Sequence, residues 1–211
     1  MAEITDYDTL KSEIGRRMKR PNQMAYFGGY IQRAEKALSR KFASKPVWLQ
    51  ELRVQAPVVS EYTDLPTDFQ SMKKCYLVLS SSATPPLEFY PNDTINDAFA
   101  GATSGQPRAY SIVGDSIQLR PVPDGQYRIG MVYIKKLTPL STSNTSNWLL
   151  EHSPDLYLEA ALVEGFLDIF DENRAAIAKA KRDEAFDELM LEHKRHHAGA
   201  RPVMRSQYYG G

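Results

Sequence analysis

The clearest strand signal in the sequence is a pair of β-prone runs on either side of a glycine–aspartate dipeptide: Ala109-Tyr110-Ser111-Ile112-Val113-Gly114-Asp115-Ser116-Ile117-Gln118-Leu119-Arg120. A two-residue Gly-Asp loop favours a β-hairpin. A proline- and glycine-containing turn follows at 121–125, and apolar residues then alternate over 127–134. The sequence therefore predicts an antiparallel meander of three strands over 109–134. We also expect Asn92 or Asp93 to cap a brief helix near 94–100.

Helical patterns lie on both sides of this β-rich region. Apolar residues spaced three and four apart predict helices over 6–18, 22–41, 154–170 and 172–197. Asp6 or Asp8 is expected to cap the first helix, and the Ser153 hydroxyl with Pro154 is expected to start the third. Two glycines, Gly28-Gly29, interrupt the second helix, which predicts close approach of a neighbouring element there.

The order helices, strands, helices indicates the α+β class. We expect a helical frame, made of N-terminal helices and a long C-terminal helix pair, around a small antiparallel β-sheet. The chain has 211 residues, of which 42% are apolar, and this suits one large domain or two small ones. We assign residues 1–197 to a single domain with a β-rich insertion at about 54–136, followed by an extended C-terminal arm over 198–211.

Charge is distributed unevenly along a chain whose formal net charge is zero. Residues 1–53 contain 11 Lys/Arg and 6 Asp/Glu, residues 54–171 contain 7 and 14, and residues 172–211 contain 8 and 6. Opposite patches that meet across an interface fix its register, so this pattern suits a protein that packs against copies of itself. It is equally compatible with solvated faces that differ in sign.

Residues with the spacing of known catalytic or metal-binding motifs are scarce. The sequence contains no phosphate-binding glycine–lysine motif, no G-x-G-x-x-G, no G-x-S-x-G and no H-E-x-x-H. His193 and His197 have the spacing of two ligands on one helix, but a solvated helix end explains them better. The single cysteine, Cys75, is expected to act as a small buried hydrophobe. We therefore expect no enzymatic activity, no cofactor and no metal.

The N-terminus and the hydropathy of the chain bear on where the protein is made. Residues 1–6 lack a basic stretch followed by an apolar core, so we expect no signal peptide. No run approaches the roughly 18 apolar residues that span a bilayer. The sequence predicts a protein made and folded in the cytosol, without a membrane partner.

Six pieces of the sequence, in order, resemble the head-to-tail adaptor (connector) proteins of tailed bacteriophages, in particular those of short-tailed phages. The pieces are residues 65–69, 86–89, 106–121, 127–134, 147–150 and 154–158. Their shared order and spacing cover most of the chain from Leu65 onward. The N-terminal helices fit the layout of this family without a distinctive motif.

The resemblance implies a structural virion protein of the head-to-tail junction, made in the host cytoplasm. It implies a ring, of twelve copies, beneath the portal protein, which extends the channel for double-stranded DNA and docks tail or nozzle proteins. DNA would pass through without sequence recognition. The helices at 22–41, 154–170 and 172–197 would form the ring wall.

The C-terminal arm is the expected portal-binding element. It has no acidic residue and no apolar periodicity, and its Arg, Met and Tyr residues are types enriched at protein interfaces. It would become ordered only on the portal. The residues expected to bind are Arg201, Pro202, Val203, Met204, Arg205, Tyr208 and Tyr209.

Two other functions are compatible with the sequence. A tail-associated hydrolase acting on carbohydrate would need a pocket with perturbed carboxylates. A DNA-binding packaging factor would use the basic run over 11–20, which includes Arg16, Arg17, Lys19 and Arg20. That run lacks the interleaved aromatic residues that stack on single-stranded DNA.

Overall fold

The computed structural model describes residues 3–79 and 85–198. The chain divides into two compact units. Residues 1–49 together with 139–211 belong to the first, which we call the helical unit, and residues 50–138 form the second, which we call the β unit. The described residues combine helices with small sheets, so the α+β class predicted from the sequence is confirmed.

The helices and strands follow one another along the chain in the predicted order of helices, strands and helices. They are α1 (Tyr7–Met18), α2 (Met24–Ser44), β1 (Glu51–Val58), β2 (Tyr62–Asp64), β3 (Phe69–Leu77), β4 (Glu88–Phe89), α3 (Ile95–Ala98), β5 (Ala109–Val113), β6 (Ser116–Arg120), β7 (Tyr127–Lys135), α4 (Trp148–His152), α5 (Pro154–Asp168) and α6 (Glu172–Ala198).

The start of α1 follows from local hydrogen bonding. The Asp6 carboxylate accepts hydrogen bonds from the backbone N–H groups of Asp8 and Thr9, and the Thr9 hydroxyl oxygen accepts one from the backbone N–H of Asp6. This reciprocal pair is a capping box, and it confirms the prediction that an aspartate caps the helix. A Cβ at Gly28 would lie 2.7 Å from the Tyr7 hydroxyl oxygen, so α1 approaches α2 closely here, as the glycine pair predicted.

Two predicted helix caps are wrong. Ser153 precedes Pro154 at the start of α5 but makes no capping hydrogen bond with its side chain. The reason is that α4, which the sequence analysis missed, ends at the same residue: the Ser153 N–H donates to the Leu149 carbonyl. In the β unit, Thr94 rather than Asn92 or Asp93 precedes the short helix α3, and its hydroxyl donates to a preceding carbonyl.

The helical unit is organised around α5, which contacts α1, α2 and α6. Residues of α5 are buried without interruption over 156–163, as expected for a helix with neighbours on every side. The largest fully buried side chains of the unit come from α1, α2 and α5. They include Leu10, Ile14, Phe27, Ile31, Leu38, Phe42 and Tyr157.

The β unit contains two sheets rather than the single small sheet that was predicted. One has the strand order β1-β7-β3 and is antiparallel; the other has the order β2-β6-β5-β4, with β4 parallel to β5. Their apolar side chains share one core, which includes Val58, Leu77, Tyr110, Ile117, Leu119, Ile129, Met131 and Tyr133. Cys75 also lies in this core, and burial raises the pKa of its thiol to about 12.

The predicted hairpin is confirmed, but the predicted three-strand meander is wrong. Strands β5 and β6 pair around Gly114, whose φ of 60° suits glycine. Strand β7 does not continue this sheet. It is nine residues long and has buried residues on both faces, so it lies between two partners of similar length, β1 and β3. The five-residue β6 could not cover it.

A close approach in the centre of β7 gives a test of the β unit. Gly130 pairs with Tyr76 on β3, and a Cβ at position 130 would lie 2.6 Å from the Tyr76 hydroxyl oxygen and closer still to its ring. The ring cannot move aside freely because its hydroxyl accepts a hydrogen bond from Arg53.

We predict that Gly130→Ala lowers the free energy of unfolding by about 1–3 kcal/mol, the usual cost of overpacking. Gly125→Ala is the matched control, because a Cβ there would meet nothing within 4 Å. Urea unfolding of both variants measures the difference. Equal stability of the two would show that the Tyr76 ring does not occupy this position.

Candidate assembly surfaces

The residues predicted to bind the portal lie outside the part of the chain that the structure describes. Arg201, Pro202, Val203, Met204, Arg205, Tyr208 and Tyr209 all follow residue 198, the last described residue. The surfaces available for assembly are therefore those of the helical unit and of the β unit, taken separately.

One end of the helical unit exposes large apolar side chains. Helices α2 and α5 run antiparallel, since the Tyr30 hydroxyl donates to Asp168 at 2.7 Å and Arg33 lies 3.3 Å from Glu164. The first turn of α2 and the last turn of α5 therefore lie at the same end. Four exposed side chains come from these turns and from the residues just beyond them: Met24 (40% exposed), Tyr26 (63%), Leu167 (50%) and Phe170 (91%).

Phe170 has an unusual backbone conformation for an aromatic residue. Helix α5 ends in a Schellman motif, in which the Asp171 N–H donates to the Phe166 carbonyl and the Phe170 N–H donates to the Leu167 carbonyl. Phe170 occupies the left-handed position of this motif, with a φ of 58°. Glycine is the usual residue at this position because it has no Cβ.

A groove lies between the second half of α2 and the middle of α6. Its volume is about 560 Å³, and it is lined by Ala37, Arg40, Lys41, Ser44, Lys45, Asp183, Phe186 and Asp187. The buried Phe186 ring lies 5.0 Å beneath the Lys41 ammonium. Burial acts to raise the pKa of Asp183, but hydrogen bonds from Lys41 and Arg182 outweigh it and lower this pKa. The groove therefore combines a largely buried aromatic residue in its floor with a charged rim that has a small excess of cations.

Several charged side chains of the helical unit are paired within one subunit. Arg33 on α2 pairs with Glu164 on α5 and lies 3.8 Å from Asp168. Within α1, Glu13 accepts hydrogen bonds from both Arg16 and Arg17. Arg33 thus joins the basic head to the acidic middle, whereas Glu13 and its two arginines all belong to the head. This pairing also weakens the basic run as a DNA-binding surface, because a phosphate would have to compete with these carboxylates.

The histidines pack around Trp48 in the helical unit. His152 and His196 lie with ring centroids 5.4 and 5.3 Å from that of Trp48, and His193 Nδ1 accepts a hydrogen bond from the backbone N–H of Trp48 at 3.1 Å. His193 and His197 do lie side by side, as their spacing indicated. Among the described residues, no group of three or more His, Cys, Asp or Glu side chains is arranged to hold a metal ion.

Two buried glutamates, Glu35 and Glu159, are the candidates for the carboxylate pair that a hydrolase would need. Glu35 is only 5% exposed and accepts hydrogen bonds from the Leu140 N–H at 2.7 Å and the Tyr157 hydroxyl at 2.5 Å. Burial raises its pKa, and the two hydrogen bonds oppose that shift. Its inaccessibility makes Glu35 a structural group.

Glu159 lines a cavity of about 150 Å³ together with Arg17, Phe166, Ile177 and Lys181. Burial raises the pKa of Glu159, whereas Lys181 and Arg17 lower it. No second carboxylate among the described residues lines this cavity, so the pair needed for glycoside hydrolysis is not assembled there. The hydrolase alternative gains no support from this geometry.

The comparison with protein families identifies what kind of protein has these surfaces. The model of the SU10 adaptor protein family matches residues 5–206, which is nearly the whole chain. The chain belongs to the SU10 adaptor protein family. No curated protein matches the chain. The resemblance to phage head-to-tail adaptors is thereby confirmed, and it now includes the N-terminal helices.

Membership in the SU10 adaptor protein family gives the broad function of the chain. It is a structural adaptor of a bacteriophage virion, a component of the head-to-tail junction that interacts with portal and tail proteins. No helix in the described ranges is both long and apolar enough to cross a membrane. The exposed end of α5 and the α2–α6 groove are thus surfaces of a protein that works in an assembly.

Neither of these surfaces is predicted by the local sequence. Phe170 reads as the last apolar residue of a helix, and only its backbone conformation and exposure distinguish it from a core residue. The groove joins residues 37–45 to residues 183–187, and no local pattern relates segments so far apart. The only local signal is that Phe170, and not a glycine, follows the last turn of α5, just before Asp171.

The raised pKa of Glu35 predicts a pH dependence for the stability of the helical unit. A carboxyl whose pKa is higher in the folded state contributes most stability below its ordinary pKa, and that contribution is lost as pH rises through the folded-state value. Glutamine keeps an oxygen that can accept both hydrogen bonds and does not ionise.

We therefore expect the stability of wild type relative to Glu35→Gln to fall as pH rises from the ordinary pKa of glutamate through the raised pKa of Glu35. Urea unfolding across the acidic to neutral range measures it, and Glu184→Gln on exposed α6 reports the effect of removing one charge. Glu35→Ala, which leaves two buried donors unpaired, is expected to lose about 1–3 kcal/mol. Parallel pH profiles for wild type and Glu35→Gln would contradict the assignment.

Proposed function

We propose that this adaptor forms a ring of twelve copies beneath the portal protein, extends the channel for double-stranded DNA, and docks tail or nozzle proteins. The observation that carries the proposal is the family match over residues 5–206. A ring of identical subunits needs a heterologous interface, in which two different patches of each copy meet and the rotation closes. The exposed end of α5 and the α2–α6 groove are two different patches of this kind.

The ring wall in this proposal consists of α2, α5 and α6. These are the three longest helices of the described chain, and α5 contacts both of the others, so they form one rigid layer. Packaged DNA passes without sequence recognition. The ion pairs of Glu13 with Arg16 and Arg17 reduce the positive charge on α1 that could hold DNA phosphates.

The C-terminal arm is the proposed portal-binding element. Residues 199–211 contain two arginines, one methionine and two tyrosines and no acidic residue, a composition suited to an interface. The family match extends to residue 206 and so includes the Arg201–Arg205 part of the arm. Such a segment gains its order at the moment of binding and can span a large surface of the partner.

The remaining parts of the proposal concern the chain as a whole. We assign residues 1–197 to a single adaptor domain whose β unit is an insertion in the helical unit. The protein is made in the host cytoplasm and joins the virion during assembly.

We predict that deleting residues 199–211 abolishes co-assembly with the portal protein and leaves the folding of residues 1–198 unchanged. A variant with a Gly/Ser segment of equal length in place of 199–211 separates the chemistry of the arm from its length. Size-exclusion chromatography with light scattering measures co-assembly, and thermal unfolding measures the fold. Portal binding by the deletion variant at the wild-type level would remove the arm from the account.

A further inference from the structure

The side chain of Phe170 does nothing for the subunit that carries it. It is 91% exposed, so it contributes almost no burial, and its backbone has a φ of 58° that disfavours any residue with a Cβ. Glycine at this position would suit the Schellman motif better. A bulky aromatic residue at a position that favours glycine indicates that its side chain acts outside its own subunit.

Phe170 has one exposed apolar neighbour, which with it forms an apolar tip, and several acidic neighbours, which form the edge of this tip. Leu167, one turn earlier, is half exposed and extends the apolar tip. Three carboxylates lie near it in the chain, Asp168, Asp171 and Glu172. Arg33 and Arg174 pair with the two aspartates, which leaves Glu172 and a small excess of negative charge. We call Leu167 and Phe170, with this acidic edge, the knob.

The α2–α6 groove is complementary to the knob in chemistry. Its floor includes Phe186, of which 5% is exposed, and Ala37, so the accessible floor is small and apolar. Its volume of about 560 Å³ lies in the range of pockets that hold small ligands. Four cations lie at or beside its rim, Arg40, Lys41, Lys45 and Arg182, against the two carboxylates of Asp183 and Asp187.

The knob of one copy cannot enter the groove of the same copy. Glu172 begins α6 and Asp183 lies in the same continuous helix, so the two are separated by about 16 Å along the helix axis at 1.5 Å per residue. The knob and the groove are therefore separate patches, fixed relative to one another by one rigid helix.

We propose that the knob at Leu167 and Phe170 of one adaptor inserts into the α2–α6 groove of the next copy. This inference rests on the proposed ring and names its contact. Because the two patches differ, each copy offers one of each, and the contact repeats in one direction until the ring closes. Phe170 is the anchor that enters the groove, and the opposite charges at the edges select the register.

The first test is Phe170→Gly, for which the fold and the assembly should respond in opposite directions. Glycine adopts the left-handed conformation without steric strain, so Phe170→Gly is expected to raise the Tm of the isolated protein by a few degrees. Loss of a buried anchor is expected to raise the concentration needed for half-maximal ring assembly on the portal protein at least about tenfold. Thermal unfolding and mass measurement of the portal complex give the two readouts.

Each other outcome of this variant overturns the inference. Assembly at the wild-type concentration would mean that Phe170 is not an anchor. A lower Tm together with lost assembly would mean that Phe170 stabilises its own subunit. A normal ring that fails to bind portal or tail protein would assign the knob to one of those partners. Failure of wild-type protein to assemble on the portal at all would instead contradict the proposed ring.

The second test exchanges charge across the contact. Lys45→Glu at the groove and Glu172→Lys at the knob are each expected to weaken assembly several-fold, and the double variant is expected to recover most of the loss. Lys179→Glu, on an exposed part of α6 that does not line the groove, is the matched control and should leave assembly unchanged. Losses that simply add in the double variant would contradict the pairing of these two patches.

Discussion

Glu35 on α2 accepts hydrogen bonds from the backbone N–H of Leu140 and from the Tyr157 hydroxyl, which also accepts one from Asn147. These partners lie more than a hundred residues further along the chain, beyond the whole β unit. The network therefore fixes α2, the returning chain, α4 and α5 in one arrangement. An unpaired carboxylate in this position would be costly, so the two halves of the helical unit depend on meeting in this register.

Some charged side chains form ion pairs within the subunit, and others remain available for contacts between subunits. Arg33 bonds to the acidic end of α5, and Glu13 neutralises part of the basic run, so part of the charge of the helical unit is paired within one copy. The knob has a small excess of negative charge beside Phe170, and the rim of the groove above Phe186 has a small excess of positive charge. An adaptor must stay folded alone and still bind its neighbours, and small residual charges of this kind suit that requirement.

The helices, the hairpin and the capping role of Asp6 could be predicted because each depends on residues close together in sequence. The placement of β7 could not, because its partners β1 and β3 compete with the nearer β6, and strand length and burial on both faces decide the outcome. The resemblance indicated the family and the helices of a ring wall, but neither the exposed end of α5 nor the groove. Phe170 and the groove depend on exposure and on helices far apart in the chain, which local patterns do not encode.

The central claim is that this protein works by binding its neighbours at the head-to-tail junction. The most direct test is native mass spectrometry of the full-length protein with and without its portal protein. We predict a discrete complex in which twelve adaptor chains are bound to the portal assembly. A mixture in which the adaptor and the portal remain separate at concentrations above those of assembly would contradict the account.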